Sequence, residues 1–413
     1  MTTATRYVIL DDDPTGSQEA SDVAVLLELD SARLEAALEH DEVVYAVTNT
    51  RSLVESDAVA LLSRLRAALD EIAARRGWSI RVVQRGDSTL RGHVFPEIDV
   101  FAGPGSRVVL APAFPAGGRR TRGGVHEIRD EDGWRNVADT EFARDPVFGF
   151  GERDLIAYVR AHGDRDARTV DAPGLAAALA APADGAVLAL DAESDAELEA
   201  AAAVIREAWA RGVDVVVRTA APLAAYLAGR KSEGRVHPSH RHRAAPVLVV
   251  AGSHTAATTA QLAELLSRWP EHVELDAELA IADPAAAASA VVAPLRAALA
   301  RAPLVTLATT RLRRREHGTL ADGERVMDAL TRAVAAVRDT AGAVIAKGGI
   351  TSAEVARRGL GGERARVVGQ LQAGISLWEI PGAEGRERSY VVVPGNVGGP
   401  DTLVQIAAEL VDR

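Results

Sequence analysis

The clearest signal in the sequence is the segment Pro394-Gly395-Asn396-Val397-Gly398-Gly399-Pro400-Asp401. It follows an apolar run at 390–393 and precedes an apolar-periodic run at 402–411, which predicts a strand, a glycine turn and a helix. Such a turn gathers bare backbone N–H groups beside the positive end of a helix, and the missing Cβ atoms let a phosphate approach closely. The turn is therefore a candidate phosphate cradle.

A second turn of the same kind lies upstream. Residues 343–346 are apolar, Lys347-Gly348-Gly349-Ile350-Thr351-Ser352 follows, and a helical pattern starts at Ala353. Two phosphate-sized cradles in one region suggest a nucleotide. Neither turn is a Walker loop or a GxGxxG fingerprint, and glycines also close strand-to-helix turns that bind nothing. Each turn taken alone leaves that simpler interpretation open.

Composition narrows the class of protein. The 413 residues suit two domains, and the hydrophobic fraction of 47% with 25% charged residues is typical of a globular protein with a packed core. The net charge of −11 argues against a general nucleic-acid or anionic-membrane partner. The absence of cysteine excludes disulfides, thiol catalysis and cysteine-ligated metals. With no signal segment and no apolar run of membrane-spanning length, we expect a cytoplasmic protein.

Short β-branched runs alternate with Ala/Leu-rich amphipathic patterns, which is typical of parallel sheets. The predicted strands are 7–10, 43–47, 80–83, 108–110, 187–190, 213–217, 247–250, 304–307, 343–346 and 390–393. The predicted helices are 58–75, 196–210, 256–269, 285–301, 324–338 and 402–411. Segment 227–245, rich in Gly, Arg, His, Ser and Pro, is the best linker. We predict two α/β domains, 1–235 and 245–413, each with a mostly parallel sheet flanked by helices.

The loops that follow the first four predicted strands carry carboxylates, hydroxyls and arginines. Because the carboxyl ends of parallel strands meet at one edge of a sheet, these side chains should lie together. Guanidinium groups fork onto carboxylates, and Asp, Ser and Thr bind hydroxyls, so this edge suits a polyhydroxylated anion. Individually, Thr15, Ser52 and Thr89 have a simpler interpretation as helix caps or turn formers. The loops are 11–17, 48–52, 85–93 and 111–119.

The chain resembles the four-carbon acid sugar kinases, whose motifs it carries in order from residue 11 to residue 401. The resemblance implies an N-terminal domain that binds an acid sugar, a C-terminal domain that binds ATP, and an active site in the cleft between them. It implies phosphorylation of a tetronate or a related acid. The motifs are Asp12-Asp13-Pro14-Thr15-Gly16, Asp87-Ser88-Thr89-Leu90-Arg91-Gly92, Ala111-Pro112-Ala113-Phe114-Pro115, Gly348-Gly349-Ile350-Thr351-Ser352 and Gly395-Asn396-Val397-Gly398-Gly399-Pro400-Asp401.

The same resemblance implies site residues. A carboxylate must orient or deprotonate the acceptor hydroxyl, and Asp12, Asp13 and Asp87 are the candidates. Mg²⁺ is expected on the phosphate oxygens, where it needs few protein ligands, so no protein metal site is predicted. The substrate contacts would be Asp12, Arg51, Arg85, Gly86, Asp87, Ser88, Thr89 and Arg91. The ATP contacts would be Ser253, Lys347, Gly348, Gly349, Ile350, Thr351, Gly395, Asn396 and Gly398.

Two departures from the family pattern concern the acid-sugar site. Where the pattern has NTESR, this chain has Asn49-Thr50-Arg51-Ser52-Leu53, so the family arginine falls on Leu53, and we conjecture that Arg51 takes its part. Arg85 stands where a lysine is usual. These departures leave room for a substrate other than threonate or erythronate.

Two other classes of protein remain as alternatives. The first is a non-catalytic acid-sugar-binding protein or sensor, and the second is a metal-dependent aldolase or hydrolase that uses the aspartates at 11–13. The expected partners are a small acid sugar and ATP, with neither nucleic acid nor membrane, and a homo-oligomer is left open. The sequence does not identify the acid, its stereoisomer or the hydroxyl that is phosphorylated.

Overall fold

The computed structural model describes residues 4–130, 132–238, 246–311, 319–381, 387–395 and 397–411. The chain divides into two compact units, Met1–Ala24 with Leu29–Ser232, and Val25–Glu28 with Glu233–Arg413. The short segment near residue 27 groups with the second unit because the Leu27 and Glu28 amides donate to the Glu363 carbonyl, at 2.9 and 3.2 Å.

The first unit is built on a parallel sheet. Its strands are β1 (Thr5–Asp11), β3 (Val43–Val47), β4 (Ser79–Arg85), β5 (Arg107–Ala111), β9 (Ala167–Val170), β10 (Val187–Leu190) and β11 (Val215–Thr219), and β2 (Val23–Leu26) contains the chain junction with the second unit. Their order is β3-β1-β4-β11-β5-β10-β9. The helices are α1 (Ser31–His40), α2 (Glu55–Arg76), α3 (Val94–Phe101), α4 (Leu155–Gly163), α5 (Ala172–Ala180), α6 (Asp195–Ala210) and α7 (Ala221–Ala228).

Local sequence explains where several of these helices begin. Asp30, Asp154 and Asp171 are the N-caps of α1, α4 and α5, and each accepts a backbone N–H of the first turn. Helix α6 begins with a capping box of Ser194 and Glu197. The strands between the helices are apolar and largely buried, as expected for a parallel sheet covered on its faces.

A small antiparallel sheet follows β5, and the sequence analysis predicted none of it. Its strands are β6 (Arg119–Arg122), β7 (Val125–Asp130) and β8 (Gly133–Asn136). They are rich in Arg and lack an apolar alternation, so the strand signal was weak. The signal that was present is the pair Gly123 and Gly124, both at positive φ (57° and 77°), which is typical of a tight hairpin turn.

The second unit has a mostly parallel sheet, as predicted. Its strands are β12 (Val247–Ala251), β13 (His272–Leu275), β14 (Leu304–Thr309), β15 (Ala343–Lys347), β16 (Arg364–Gln372), β17 (Ile375–Pro381) and β18 (Glu387–Val393), in the order β13-β14-β12-β15-β18-β17-β16. The sequence analysis did not predict β13, β16 or β17. Strand β17 is antiparallel to both β16 and β18, and the pairs among the other strands are parallel. The helices are α8 (Ala256–Arg268), α9 (Ala277–Ala282), α10 (Pro284–Leu299), α11 (Leu320–Val337), α12 (Gly349–Glu354) and α13 (Thr402–Val411).

Strand β11 runs two residues further than the sequence predicted. It includes the buried polar residues Arg218 and Thr219, which follow the apolar run. An arginine is tolerated in this strand because Glu97 and Asp12 lie beside its guanidinium. In the described part of the chain, no helix has both the length and the apolar character needed to cross a membrane.

Candidate functional site

Arg85 gathers the aspartates that follow β1. Its Nη1 donates to Asp11 Oδ1 at 3.0 Å, to Asp13 Oδ1 at 3.0 Å and to Asp12 Oδ1 at 3.3 Å, and its side chain is only 3% exposed. Its Nη2 donates to the Thr15 hydroxyl at 3.2 Å. The first and third predicted loops therefore do meet, at the carboxyl ends of the adjacent strands β1 and β4.

Arg51 comes from the second loop and joins the same group of charges. It forms an ion pair with Asp13, its Nε lies 3.7 Å from Asp12 Oδ2, and its Nη1 lies 3.5 Å from Asp87 Oδ2. Its neighbour Ser52 donates to the Asn49 carbonyl at 2.8 Å, which agrees with the turn-forming role that we kept open for Ser52. The Arg51 guanidinium is thus surrounded by carboxylates of the chain itself.

Asp87 is held as an anion. Arg91 Nε donates to its Oδ2 at 2.7 Å, and the Thr89 hydroxyl donates to the same oxygen. Burial alone would raise the pKa of Asp87, but the nearby Arg91 and Arg51 charges hold that pKa well below its ordinary value. Asp87 is therefore oriented and ionised over the whole working range of pH.

The loop that carries Asp87 to Gly92 is fixed by two residues that the sequence analysis missed. His126 Nε2 lies 2.7 Å from the Ser88 carbonyl, and the Tyr158 hydroxyl donates to the Leu90 carbonyl at 3.0 Å. Burial lowers the pKa of His126 to about 4, so the ring is neutral and its Nε2–H donates to Ser88. Leu90 has a φ of 68°, a left-handed conformation that these contacts help to hold.

Arg218 is another residue that the sequence analysis missed, although an arginine at the end of a buried apolar strand was a usable signal. It forms an ion pair with Glu97 of α3, and its Nη2 lies 3.5 Å from Asp12 Oδ2. A Cβ at Gly86 would lie 2.4 Å from Arg218 Nη2. Gly86 therefore leaves room for the guanidinium, a physical reason for this glycine that differs from substrate contact.

The aspartates at 11–13 bear on the metal-dependent alternative. Their ligand atoms lie within 4.8 Å of one another, close enough for a cation. Each of them already accepts a hydrogen bond from Arg85, which supplies the positive charge that a cation would bring. Burial raises the pKa of Asp11 to about 7, and Asp11 Oδ2 has no hydrogen-bond partner within the described ranges. The cluster is thus neutralised by guanidinium groups.

In the second unit, the loops after β12, β15 and β18 converge. A Cβ at Gly348, whose φ is 113°, would lie 3.0 Å from Ser253 Cβ, and a Cβ at Gly395 would lie 2.9 Å from Ser253 Oγ. A Cβ at Gly252 would lie 2.6 Å from Thr351 Oγ1. Ser253, Gly348, Thr351 and Gly395, which were predicted as ATP contacts, thus come together with Gly252 in one cradle at the carboxyl ends of parallel strands.

Side chains at the start of α8 hold this cradle, and the sequence analysis missed them. Thr255 Oγ1 donates to the Gly395 carbonyl at 2.7 Å. Gln261 Nε2 lies 3.0 Å from the Val397 carbonyl and 3.2 Å from the Gly398 carbonyl. Because these donors occupy the carbonyls of the glycine turn, they fix its backbone.

Lys347 lies fully buried at the end of β15. Its Nζ donates to the Pro394 carbonyl at 2.6 Å, and burial lowers its pKa to about 7. It makes no ion pair with any carboxylate in the part of the chain that the structure describes. Of the other predicted cofactor residues, Gly349 starts α12, Ile350 is 39% exposed, and Asn396 lies outside the described residues.

Two family profiles match the chain. The one described as "Sugar-binding N-terminal domain" matches residues 7–227, and the one described as "Nucleotide-binding C-terminal domain" matches residues 248–403. A D-threonate kinase from Bordetella bronchiseptica is 30% identical over 404 residues, which cover 93% of this chain and 90% of that relative. The chain belongs to the four-carbon acid sugar kinase family. The recognition made from the sequence motifs is thereby confirmed.

A further relative and two solved structures are also similar to this acid sugar kinase. A D-erythronate kinase from Heliobacterium modesticaldum is 30% identical over 282 residues, 62% of this chain and 59% of that relative. A solved Haemophilus influenzae protein has a TM-score of 0.61 at 16% identity, covering 98% of this chain and 100% of its own. A solved Salmonella typhimurium LT2 protein has a TM-score of 0.68 at 19% identity, covering 97% and 98%. At these identities the two structures show the fold.

Proposed function

We propose that this acid sugar kinase is ATP-dependent and phosphorylates a hydroxyl of a four-carbon acid sugar such as a tetronate. The observation that carries the proposal is the convergence of Ser253, Gly348 and Gly395. Bare backbone at the carboxyl ends of parallel strands, next to the start of α12, suits the phosphates of a nucleotide. Burial lowers the pKa of Lys347 to about 7 and no described carboxylate pairs with it, so phosphate oxygens bound in the cradle would favour its protonated form.

The acid-sugar side of the proposal rests on the cluster in the first unit. Arginines and carboxylates lie next to one another there in a buried region. The loop that contains Ser88 and Thr89 is part of the same region. Such a mixture binds a molecule that carries both an anion and several hydroxyls. The relatives named D-threonate kinase and D-erythronate kinase support a four-carbon acid.

Asp12 is the candidate that we favour for orienting or deprotonating the acceptor hydroxyl. Asp13 and Asp87 each accept hydrogen bonds at 3.0 Å or less from arginines. The arginine nitrogens around Asp12 lie at 3.3, 3.5 and 3.7 Å, so its carboxylate is the least engaged of the three. A base needs a free lone pair directed at the hydroxyl proton.

Positioning and charge neutralisation supply most of the catalysis in phosphoryl transfer. Mg²⁺ would neutralise charge on the ATP phosphates when bound. Asp401 Oδ1, which lies 3.3 Å from where a Cβ at Gly399 would be, offers a carboxylate beside the glycine turn. With phosphate oxygens and water as the other ligands, this residue fits the sparse protein coordination that Mg²⁺ accepts.

The test is an ATP-consumption assay over D- and L-threonate, D- and L-erythronate and the neutral polyol threitol, with and without Mg²⁺. We expect ADP and a phosphorylated acid, detected by mass spectrometry, for one or more acids and not for threitol. Calorimetry of each acid without nucleotide separates the alternatives. An acid that binds without consuming ATP would indicate a sensor, and ATP left intact with every acid would refute the kinase.

A further inference from the structure

Arg119, the first residue of β6, is a buried cation with an incomplete set of partners. It is 7% exposed, and its Nη1 donates to the Gly117 carbonyl. Its Nε is buried and has no hydrogen-bond partner within the described ranges. Arg119 also makes no ion pair with a carboxylate of the described residues. Among the described residues, the Nε–Nη2 edge of this guanidinium therefore has no acceptor.

Three other arginines of the first unit are compensated by carboxylates. Arg85, Arg51 and Arg218 each face carboxylates at ion-pair distance. Removing a charge from water without a partner costs several kcal/mol, so a buried guanidinium without an anion weakens the fold. Arg119 carries this cost in the ligand-free protein, and a bound anion would remove it.

Arg388 of the second unit shows what a purely structural solution looks like. It too lacks an ion pair with a described carboxylate, but its Nε donates to the Ala341 carbonyl at 3.1 Å and its Nη2 to the Arg338 carbonyl at 2.7 Å. The C-cap carbonyl of helix α11 and a carbonyl of the following turn thus satisfy that guanidinium. No carbonyl of the described residues accepts a hydrogen bond from the Nε of Arg119.

The position of Arg119 places it near Asp87 and Arg91, which lie in the loop after β4. It ends the loop that leaves the carboxyl end of β5. Burial and the Arg91 charge lower the pKa of Arg119, and the Asp87 charge raises it. The three charged groups therefore interact electrostatically. His126, which bonds to Ser88, in turn has its pKa lowered by burial and by Arg119.

We propose that Arg119 binds the carboxylate of the acid sugar through its Nε–Nη2 edge and thereby selects acids over neutral polyols. A planar guanidinium edge matches a carboxylate with two parallel hydrogen bonds. Asp13 already compensates the charge of Arg51, whereas no carboxylate of the described residues compensates the charge of Arg119. This inference rests on the proposed function and names the residue that recognises the carboxylate of the substrate.

The experiment compares Arg119→Met with Arg122→Ala, a control on the same strand whose side chain is 68% exposed. We expect Arg119→Met to raise the KM and the calorimetric Kd for the acid about 10- to 100-fold, the range for lost charge-assisted hydrogen bonds. KM for ATP should stay unchanged. The melting temperature should hold or rise, because an uncompensated buried charge is removed. Arg122→Ala should match the wild type.

The outcomes separate this inference from the proposed function. If the wild type phosphorylates no acid, the proposed function fails. If the wild type is active and folded Arg119→Met keeps its Kd for the acid within about twofold, Arg119 does not bind the carboxylate. Should Arg119→Met not fold, Arg119→Lys decides: a point charge without the fork should weaken acid binding, and unchanged binding would overturn the assignment. The amide of the preferred acid, which lacks the negative charge, should bind wild type and variant equally.

Discussion

Gly86→Ala tests whether this glycine makes room for Arg218. The added Cβ would lie 2.4 Å from Arg218 Nη2 and 2.6 Å from Cζ and Nε. The guanidinium is buried and cannot swing into solvent without leaving Glu97 and Asp12. Separating a buried ion pair costs about 3–5 kcal/mol, so we expect a loss of that size in the free energy of unfolding.

Urea denaturation measures this loss, and a double-mutant cycle tests its cause. Arg218→Met alone should cost about 3–5 kcal/mol because Glu97 is left buried without its partner. Adding Gly86→Ala to Arg218→Met should then cost little more, since the group that the methyl would meet is gone. Gly103→Ala is the control, because its Cβ would lie 3.8 Å from Ser106 Oγ, an ordinary contact. A folded Gly86→Ala within about 1 kcal/mol of wild type, or effects that simply add, would refute the reasoning.

The remaining predictions concern the two candidate sites. Arg51→Ala removes the counter-charge of Asp13 and Asp87, so we expect a higher KM for the acid and a nearly unchanged KM for ATP; an unchanged KM for the acid would remove Arg51 from the site. Asp11 has a folded pKa of about 7 against an ordinary 3.8, so between these values the folded state binds more protons and stability falls as pH rises. Asp11→Asn should abolish that fall in urea titrations at about pH 4.5 and about pH 7.5, and parallel curves for variant and wild type would contradict it. Gly395→Val should weaken ATP binding in calorimetry, because a Cβ would lie 2.9 Å from Ser253 Oγ, while acid binding stays intact; unchanged ATP affinity would argue against the cradle.

Most strands of the parallel sheets, and the loops at their carboxyl ends, could be predicted from the sequence. The apolar runs that became β1, β4 and β12 are local signals, since a buried parallel strand is apolar along its length. The hairpins did not carry that signal. Strands β6 to β8 are polar, and β16 begins with alternating charged and apolar residues within a region that had been left without a prediction.

Some residues of the candidate sites could likewise be predicted from the sequence, and others could not. Residues directly after a strand, such as Arg85 and Asp87, could be placed at the sheet edge by chain position alone. The partner of Arg218 could not, because Asp12 lies 206 residues away and neither residue type predicts the other. His126 was missed for the same reason, since its contact with Ser88 depends on how the small sheet returns to the loop.

The two departures from the family pattern meet on one carboxylate. Arg51 pairs with Asp13, and Arg85 donates to Asp13 Oδ1 at 3.0 Å. A lysine at position 85 would offer a single nitrogen, whereas Arg85 reaches the aspartates with Nη1 and Thr15 with Nη2. Arg51 and Arg85, the two departures, therefore belong to one network in which carboxylates of the chain compensate both guanidinium groups. Because that network is internally compensated, the acid group of the substrate needs a cation outside it, which is the position that Arg119 holds.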